Sequence, residues 1–277
     1  MKTWFITGAS RGFGALVVAR ALARGDAVVA TARKPQAVVD CFGEQPNLLA
    51  LALDVTDERQ VRTAVEAAIA RFGRIDILLN NAGFGLMGAV EEASSAEVEA
   101  LYRTNVFGLL NVTRAVLPHM RAARSGRVLN ISSIGGYRGS AGFGVYSSTK
   151  FAVEGISEAL HAELAPLGIH VTVIEPGYFR TDFLDASSLS VSPVIIDDYA
   201  ATAGRVRSVA TGLNHAQPGD PEKLARVLVD FADAADPPVR LPLGSDTVAA
   251  IEAKHLGDAA ILAQWSSVSI STDFDAI

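Results

Sequence analysis

Tyr146 and Lys150 are four positions apart in the segment Tyr-Ser-Ser-Thr-Lys, and together they could transfer protons. If this segment is helical, the two side chains lie on one face, with Cβ atoms about 5–6 Å apart. A phenol loses its proton near pH ~10 and an acid–base catalyst works best near pH ~7, a gap of about 4 kcal/mol. One positive charge about 4 Å away supplies about 4 kcal/mol at an effective dielectric constant of ~20. The pair therefore predicts a proton-transfer site, although a solvated surface pair would have the same pattern.

A glycine-rich loop near the N-terminus predicts a phosphate-binding site. Residues 2–7 read as a buried strand, and Gly8, Gly12 and Gly14 follow it before a helical run at residues 15–24. Such glycines let the backbone turn tightly and approach a phosphate, while the start of the helix offers free N–H groups and a partial positive charge. The alternative is an ordinary strand-to-helix turn, for which one glycine would suffice.

Apolar runs that read as strands alternate with amphipathic, helix-like segments along the chain. Strands rich in Val, Ile and Leu, joined by helical crossovers, form parallel sheets that are covered by helices on both faces. The sequence therefore predicts an α/β fold in which a ligand binds outside the carboxyl ends of the strands. The further strands are expected at residues 27–31, 48–53, 75–80, 127–132, 170–175 and 239–243, and helices at residues 57–72, 96–121, 146–167 and 221–234.

Six short motifs follow one another in a fixed order over most of the chain. They are the segment 7–14, Asp54-Val55, Asn80-Asn81-Ala82-Gly83, Asn105, Ser133 with Tyr146 and Lys150, and Pro176-Gly177 with Thr181. Through these motifs the chain resembles the short-chain dehydrogenase/reductase family. The resemblance implies a Rossmann-type fold, a doubly wound, mostly parallel seven-stranded sheet with helices on both faces. It also implies hydride transfer between a nicotinamide cofactor and an alcohol or carbonyl.

The resemblance implies a role for each polar residue of the motifs. Ser133, rather than Ser132, would bind the substrate oxygen, because the family places its serine thirteen positions before the tyrosine. Tyr146 would exchange the proton, and Lys150 would lower the phenol pKa and hold the nicotinamide ribose. Asn105 would hold a water that leads protons to solvent, unless it only satisfies a kink in its helix. The expected cofactor-binding residues are Gly8, Ser10, Arg11, Gly12, Phe13, Gly14, Arg33, Asp54, Val55, Asn81, Ala82, Gly83, Tyr146, Lys150, Pro176, Gly177, Phe179 and Thr181.

The end of the second predicted strand indicates which nicotinamide cofactor is preferred. An acidic residue there would bind the 2′-hydroxyl of NAD and repel the 2′-phosphate of NADP. This strand ends with Ala32, Arg33 and Lys34 instead. Arg33 could bind the phosphate with its forked guanidinium, and Arg11 could add a second contact. We therefore expect NADP(H) to be preferred over NAD(H), the alternative being that Arg33 and Lys34 form a solvated turn.

Composition excludes several other classes of protein. With 49% hydrophobic and 19% charged residues the chain is not disordered, and a net charge of −6 gives no footprint for nucleic acid. Cys41 is the only cysteine and the five histidines are scattered, so we expect neither disulfides nor a metal site. No apolar run reaches the ~18–20 residues of a membrane span. Because the first strand begins at residue 2, no signal peptide is expected, and the predicted location is cytoplasmic.

The substrate is not identified by the sequence beyond a hint of an apolar pocket. We expect residues 1–277 to form a single domain, in which residues 182–217 cover the substrate and residues 244–277 form a C-terminal helical extension. That extension is expected to contain one amphipathic helix at residues 245–263, followed by a polar end. Seven apolar residues near the motifs could line a pocket or belong to the core: Phe84, Leu86, Phe143, Tyr178, Phe179, Phe183 and Leu184.

The sequence also allows two alternative functions to be weighed and a homo-oligomer to be expected. A catalytically silent NADP-binding regulator or scaffold of the same fold would be expected to lack the serine, tyrosine or lysine, which this chain keeps. Sugar-nucleotide epimerases and dehydratases of the extended relatives usually have longer chains and another glycine pattern. The family resemblance implies a homodimer or homotetramer through the helices at residues 96–121 and 146–167. The apolar stripe Ala152, Ile156, Leu160 and Leu164 fits that interface, although packing on the sheet explains it equally well.

Overall fold

The computed structural model describes residues 1–274 and is built on a parallel β-sheet. Seven strands pair in the order β3-β2-β1-β4-β6-β7-β9, and every pairing is parallel. Strands β5 and β8 form a separate two-stranded parallel sheet. The strands are β1 (Thr3–Thr7), β2 (Ala27–Ala32), β3 (Leu48–Ala52), β4 (Ile77–Asn80), β5 (Gly85–Met87), β6 (Gly126–Ile131), β7 (Ile169–Pro176), β8 (Leu189–Val191) and β9 (Arg240–Leu243).

Helices cover both faces of the seven-stranded sheet. Buried side chains of α1 and α8 pack with one face of the sheet, and those of α3 and α5 pack with the other. The expected doubly wound, Rossmann-type architecture is therefore confirmed. The helices are α1 (Gly12–Ala23), α2 (Gln36–Phe42), α3 (Glu58–Phe72), α4 (Ser95–Tyr102), α5 (Leu109–Ala123), α6 (Gly144–Leu164), α7 (Arg205–Leu213), α8 (Pro221–Phe231) and α9 (Ser245–Ile270).

The helix expected at residues 96–121 is wrong in its continuity. A π-helical stretch, Arg103–Gly108, separates α4 from α5. Such stretches are rare and are often found at functional sites. A Cβ on Gly108 would collide with Val55, so a glycine lets this stretch approach the loop after β3 closely.

The C-terminal extension also differs from its expectation. Helix α9 continues to Ile270, seven residues beyond the predicted end, and its last turns carry exposed apolar side chains rather than a polar end. Residues 275–277 lie outside the described part of the chain. Within that part, no helix combines the length and the apolar character needed to cross a membrane.

The sheet register brings the motif-bearing loops to one edge. Asn80 ends β4 directly beside Asn130 of β6, and Pro176 ends β7 beside Leu243 of β9. The buried Asn80 amide donates to Asn130 Oδ1 at 2.9 Å, which ties the two strand ends together. Because parallel strands share one direction, the loops after β1, β4, β6 and β7 all open at their carboxyl ends.

Candidate active site

A cavity of about 1400 Å³ lies at the carboxyl ends of the sheet strands. Nearly all residues expected from the motifs line it; Gly14 and Asn105 lie behind its wall. The structure therefore places the glycine loop and the Tyr146–Lys150 pair around one crevice. The expected residues on the wall are Gly8, Ser10, Arg11, Gly12, Phe13, Arg33, Asp54, Val55, Asn81, Ala82, Gly83, Ser133, Tyr146, Lys150, Pro176, Gly177, Phe179 and Thr181.

The glycine loop is held close to the loop after β4. Gly8 and Gly12 have φ angles of +65° and +54°, in the left-handed region that favours glycine. A Cβ on Gly14 would collide with the Gly8 carbonyl oxygen and with the Asn81 amide. That amide donates to the carbonyl oxygens of Thr7 and Gly8, both at 3.0 Å. The bare backbone of this cradle is open to the cavity and fits a bound diphosphate at the start of α1.

Ser133, Tyr146 and Lys150 form the opposite part of the wall. Tyr146 is buried between the rings of Phe143 and Phe183, whose centroids lie 6.1 and 5.7 Å from its own. Lys150 Nζ lies 5.7 Å from the Tyr146 ring centroid and donates to the Ile131 carbonyl at 2.9 Å. The two side chains share one face of α6, as the four-residue spacing predicted.

Burial shifts the pKa values of both members of this pair. Burial raises the pKa of Tyr146 above its ordinary value, and the neighbouring Ser133 hydroxyl offsets only part of that rise. Burial also lowers the pKa of Lys150 to about 8, while Glu154 opposes that fall. Burial thus disfavours the charged form of both side chains, and positive charge beside the phenol would favour phenolate. That Lys150 lowers the phenol pKa stays a prediction.

Asn105 supports the loop after β4 rather than facing the cavity. Its side chain accepts from Phe84 N at 3.1 Å and donates to Phe84 O at 2.9 Å. It also donates to Thr149 Oγ1 at 3.3 Å, on the helix that carries Tyr146 and Lys150. The Asn105 side chain thus joins the π-helical stretch to both sides of the candidate site.

The region expected to bind the adenosine half is open and basic. Arg33 and Lys34 are exposed on the cavity wall, next to the buried end of β2 at Ala32. Arg11 lines the cavity as expected, and its guanidinium also donates to the carbonyl of Ser187 in the segment opposite. Asp54 turns one carboxylate oxygen to the backbone and hydroxyl of Thr56. Arg33 and Lys34 therefore remain the cations best placed for a 2′-phosphate.

The loop after β7 is braced from the start of α9. Asp246 accepts a hydrogen bond from Tyr178 N at 2.7 Å, and a Cβ on Gly177 would collide with its carboxylate. Phe179 packs edge-on against Phe13 of the glycine loop, with ring centroids 5.5 Å apart. Thr181 accepts from Phe183 N at 3.3 Å and so begins the short helical turn that follows. The sequence did not reveal the role of Asp246, because this residue lies 68 positions from Tyr178 and outside the recognised motifs.

The apolar residues divide between the cavity and the core. Leu86 packs beneath the cavity with Leu101 and Val145. The other six line the cavity wall: Phe84, Phe143, Tyr178, Phe179, Phe183 and Leu184. The cavity therefore has apolar surface on its wall, and five of these six residues also pack against core clusters.

The segment at residues 182–217 is fastened by a buried ion pair that sequence reasoning missed. Glu92 is buried and pairs with Arg207 of α7. Hydrogen bonds from the backbone N–H groups of Ile196 and Ala89, followed by the charge of Arg207, hold the pKa of Glu92 below its usual range. The residues are 115 positions apart, so no local pattern marks them as partners. The pair joins α7 to the loop after β5 and keeps the segment over the cavity.

One group of possible ligand atoms also lies in this segment. Asp182, Asp185 and His215 bring such atoms within 4.8 Å of one another. Asp185 already accepts from Asn214 at 2.6 Å, and its Oδ1 lies 3.2 Å from His215 Nε2. These hydrogen bonds join the two ends of the segment at residues 182–217.

A buried acidic pair lies behind Lys150. Arg240 Nη1 contacts Glu154 at 2.6 Å and Glu175 at 2.7 Å. Burial raises the pKa of Glu154 to about 7, with Glu175 adding to the rise and both Ser132 and Arg240 opposing it. Ser132 therefore points toward this pair and away from Ser133, as expected for neighbours at the end of a strand.

Comparison with known proteins gives consistent results. The family model for short chain dehydrogenases matches residues 2–190. The 3-ketodihydrosphingosine reductase of Bacteroides thetaiotaomicron is 41% identical over 240 residues, which cover 86% of each protein. A short-chain dehydrogenase structure from Streptomyces avermitilis superimposes with a TM-score of 0.90 at 40% identity, covering 99% of this chain and 100% of the other. The structure of ElxO with NADP bound gives a TM-score of 0.73 at 25% identity, covering 90% and 99%.

These matches extend over both halves of the chain, and the fold and the order of the motifs agree with them. The chain therefore belongs to the short-chain dehydrogenase family, whose members are oxidoreductases of CH–OH and C=O groups.

Proposed function

We propose that this chain is an NADP(H)-dependent oxidoreductase that interconverts an apolar alcohol and its carbonyl compound, with Ser133, Tyr146 and Lys150 as its catalytic residues. The observation that carries the proposal is the position of Tyr146 and Lys150. Both side chains are buried on one face of α6, and both open onto the cavity that contains the glycine cradle. A surface pair would be solvated, so the alternative reading of the Tyr-x-x-x-Lys spacing is disfavoured.

Each of the three catalytic residues has its own role in binding the substrate or transferring the proton. Ser133 binds the substrate oxygen, and Tyr146 gives that oxygen a proton during reduction and takes it back during oxidation. Lys150, held by the Ile131 carbonyl, keeps its charge below pH about 8 and there stabilises the phenolate. Asn105 positions the loop after β4 against α6 through Phe84 and Thr149.

The glycine cradle and the loops after β3, β4 and β7 hold the nucleotide. Bound there, a nicotinamide nucleotide supplies or accepts the hydride. Arg33, with Lys34 beside it, favours NADP(H) because a guanidinium pairs with a 2′-phosphate and no acidic residue follows β2. The structurally similar ElxO is solved with NADP bound, which supports the use of a nicotinamide nucleotide.

The substrate side favours apolar carbonyl compounds. Phe84, Phe143, Phe183 and Leu184 present apolar surface next to Tyr146. The name of the 41% identical relative makes 3-ketodihydrosphingosine the first compound to test. We infer that the described chain acts as one unit, with residues 182–217 covering the substrate.

The direct test is a panel of ketones and aldehydes with NADPH, followed at the nicotinamide absorbance band. We expect NADPH consumption with apolar carbonyl compounds and little with short polar ones. If NADPH binds but no member of a broad panel is reduced, the chain is a nucleotide-binding protein without this activity. If NADPH does not bind, the assignment of the crevice is wrong.

A further inference from the structure

The distal half of α9 extends from the body of the protein with its apolar side chains in solvent. Leu256 is 75% exposed, Leu262 67% and Trp265 54%, and Ile261, Val268 and Ile270 are also exposed. The proximal half is attached, because Thr247 is buried and His255 contacts Tyr137. An exposed apolar surface of this kind marks an interaction site.

Beyond Asp258 the same helix is free of charge. The twelve residues 259–270 contain no acidic or basic side chain, and the charged pair that precedes them, Lys254 and Asp258, is neutralised by its own ion pair. A helix that is solvated on all sides normally carries charges around its surface. The cores of protein–protein interfaces, in contrast, are depleted of charge and enriched in tryptophan.

The exposed area of the whole chain agrees with a missing contact. A compact protein of 29.0 kDa is expected to expose about 11,400 Å². This chain exposes 13744 Å². The excess of about 2,300 Å² is larger than the ~800 Å² per partner that a stable interface requires. Helix α9, about 39 Å long at 1.5 Å per residue, accounts for the extended shape.

The charged residues near α9 indicate which kind of partner could cover its apolar surface. Helices that lie on membranes are rich in Lys and Arg, which attract anionic lipids. Here the charged residues that flank the uncharged half are Asp258 and Asp273, and the chain carries a net charge of −6. The acidic residues at the two ends of the uncharged half disfavour an anionic membrane, whereas the residues between them carry no charge that would oppose the same helix of a second copy.

We propose that a second copy of this chain packs along residues 256–270 of α9 and forms a two-fold symmetric dimer. Trp265 is the central anchor of the interface, with Ile261 and Val268 one turn away on the same face. This surface differs from the α5–α6 interface that the family resemblance implies. There two residues of the α6 stripe, Leu160 and Leu164, pack with the core on one face of the sheet.

Two measurements on the full chain test the dimer. The protein has only two tryptophans, and Trp4 is fully buried, so quenching by iodide reports on Trp265. At micromolar concentration we expect a dimer by light scattering and a Trp265 that iodide does not reach. On dilution, or in Ile261→Glu, iodide should quench Trp265. The dimer dissociation constant should rise by about 30-fold or more in Trp265→Glu.

Matched variants separate this proposal from its alternatives. Val194→Glu, at an exposed apolar position outside α9, should leave the dimer intact. If Phe151→Glu on α6 dissociates the dimer and Trp265→Glu does not, the interface lies elsewhere and the proposal fails. It also fails if the chain is monomeric and Trp265 is shielded only on adding phosphatidylcholine or phosphatidylserine vesicles, because the occupant is then a membrane. A monomer with an iodide-accessible Trp265 and no response to vesicles overturns it as well.

Discussion

The two walls of the crevice are built by different means. The nucleotide wall consists of loops that follow strand ends, where the backbones of Gly8 and Gly14 pack directly on each other and against the Asn81 side-chain amide. The substrate wall is assembled from short helical turns and β8, which are fastened by side-chain contacts such as the Glu92–Arg207 pair. Only the first wall is built from short motifs that are each local in sequence, although contacts such as Asn81 to Gly8 join motifs that are far apart.

This difference predicts how each wall responds to change. Tight backbone packing tolerates almost no added volume, because a new methyl group must displace main chain. A wall held by a few long-range contacts can shift when one of them is lost, without disturbing the sheet. Changes to the nucleotide wall should therefore weaken nucleotide binding strongly, and changes to the substrate wall should weaken substrate binding more moderately.

The largest effect among the wall variants is expected for Gly14→Ala. Its Cβ would collide with Gly8 and Asn81. A backbone shift that costs about 1–3 kcal/mol should weaken NADPH binding by about 10- to 100-fold, measured by fluorescence titration. Gly155→Ala is the matched control, since nothing lies within 4 Å of its added Cβ on α6. If both variants bind NADPH like the wild type, the close-packed description of this wall is wrong.

Arg33→Ala should act on cofactor choice. Loss of a charge-assisted contact worth about 1.5–3 kcal/mol should lower the ratio of NADPH to NADH affinity by about 10- to 100-fold. NADH binding itself should change little. Arg59→Ala, another exposed arginine but outside the cavity wall, should leave the ratio unaltered. An unchanged ratio in Arg33→Ala would reduce Arg33 and Lys34 to a solvated turn.

Arg207→Met tests the substrate wall. It leaves Glu92 buried without its cation, so α7 should loosen over the cavity. We expect KM for the carbonyl substrate to rise by about tenfold, equivalent to ~1.4 kcal/mol, while NADPH affinity is retained. Arg205→Met, an exposed neighbour on the same helix, serves as the control. A loss of NADPH affinity equal to the change in KM would show that the two walls are not independent.

Glu154→Gln should produce the smallest effect, a change in how stability depends on pH. Glu154 titrates near pH 7 in the folded chain and near 4.5 when unfolded, because burial disfavours its charge. The folded protein thus loses stability as pH rises from about 4.5 to 7. An amide escapes this loss, so the variant should be about 1–3 kcal/mol more stable than the wild type at pH 8. The difference should vanish near pH 4.5.

Glu158→Gln provides the comparison for that experiment. Glu158 contacts the same arginine, Arg240, but its side chain is exposed. In denaturant unfolding at pH 4.5, 6 and 8, the gain in stability at high pH is therefore expected for Glu154→Gln, in which the replaced carboxyl is buried. A similar pH dependence in both variants would mean that the burial of Glu154 has no energetic consequence.

The sequence predicted the nucleotide wall well because its signals are local. The seven sheet strands lie within two residues of their expected limits, and the apolar runs that mark them are continuous. The loops that follow them carry the motifs, and the family resemblance assigned the expected cavity-lining positions within those motifs. Gly14 was expected to bind the cofactor but does not line the cavity. Its glycine is needed for close packing against Gly8, and a glycine required for packing looks the same in the sequence as one required for binding.

The substrate wall and the electrostatics of the site could not be predicted from the sequence, because they depend on contacts between residues that are far apart in the chain. Short elements such as β5, β8 and α7 exist through pairing and ion pairs with distant residues, which composition does not reveal. Arg11 carries the charge expected of a phosphate ligand, and it also binds the carbonyl of Ser187. The pKa of Tyr146 depends on burial, and the spacing of Tyr146 and Lys150 contains no information about that burial.

The central claim is that Tyr146 moves a proton while hydride passes between the bound nucleotide and the substrate. The most direct measurement compares turnover and NADPH binding in wild type and Tyr146→Phe, with Tyr199→Phe as a control outside the cavity. The account predicts that turnover falls by about 10²- to 10⁴-fold in Tyr146→Phe. The dissociation constant for NADPH should change by less than about threefold, or ~0.7 kcal/mol. A Tyr146→Phe protein that keeps most of the wild-type rate would contradict the account.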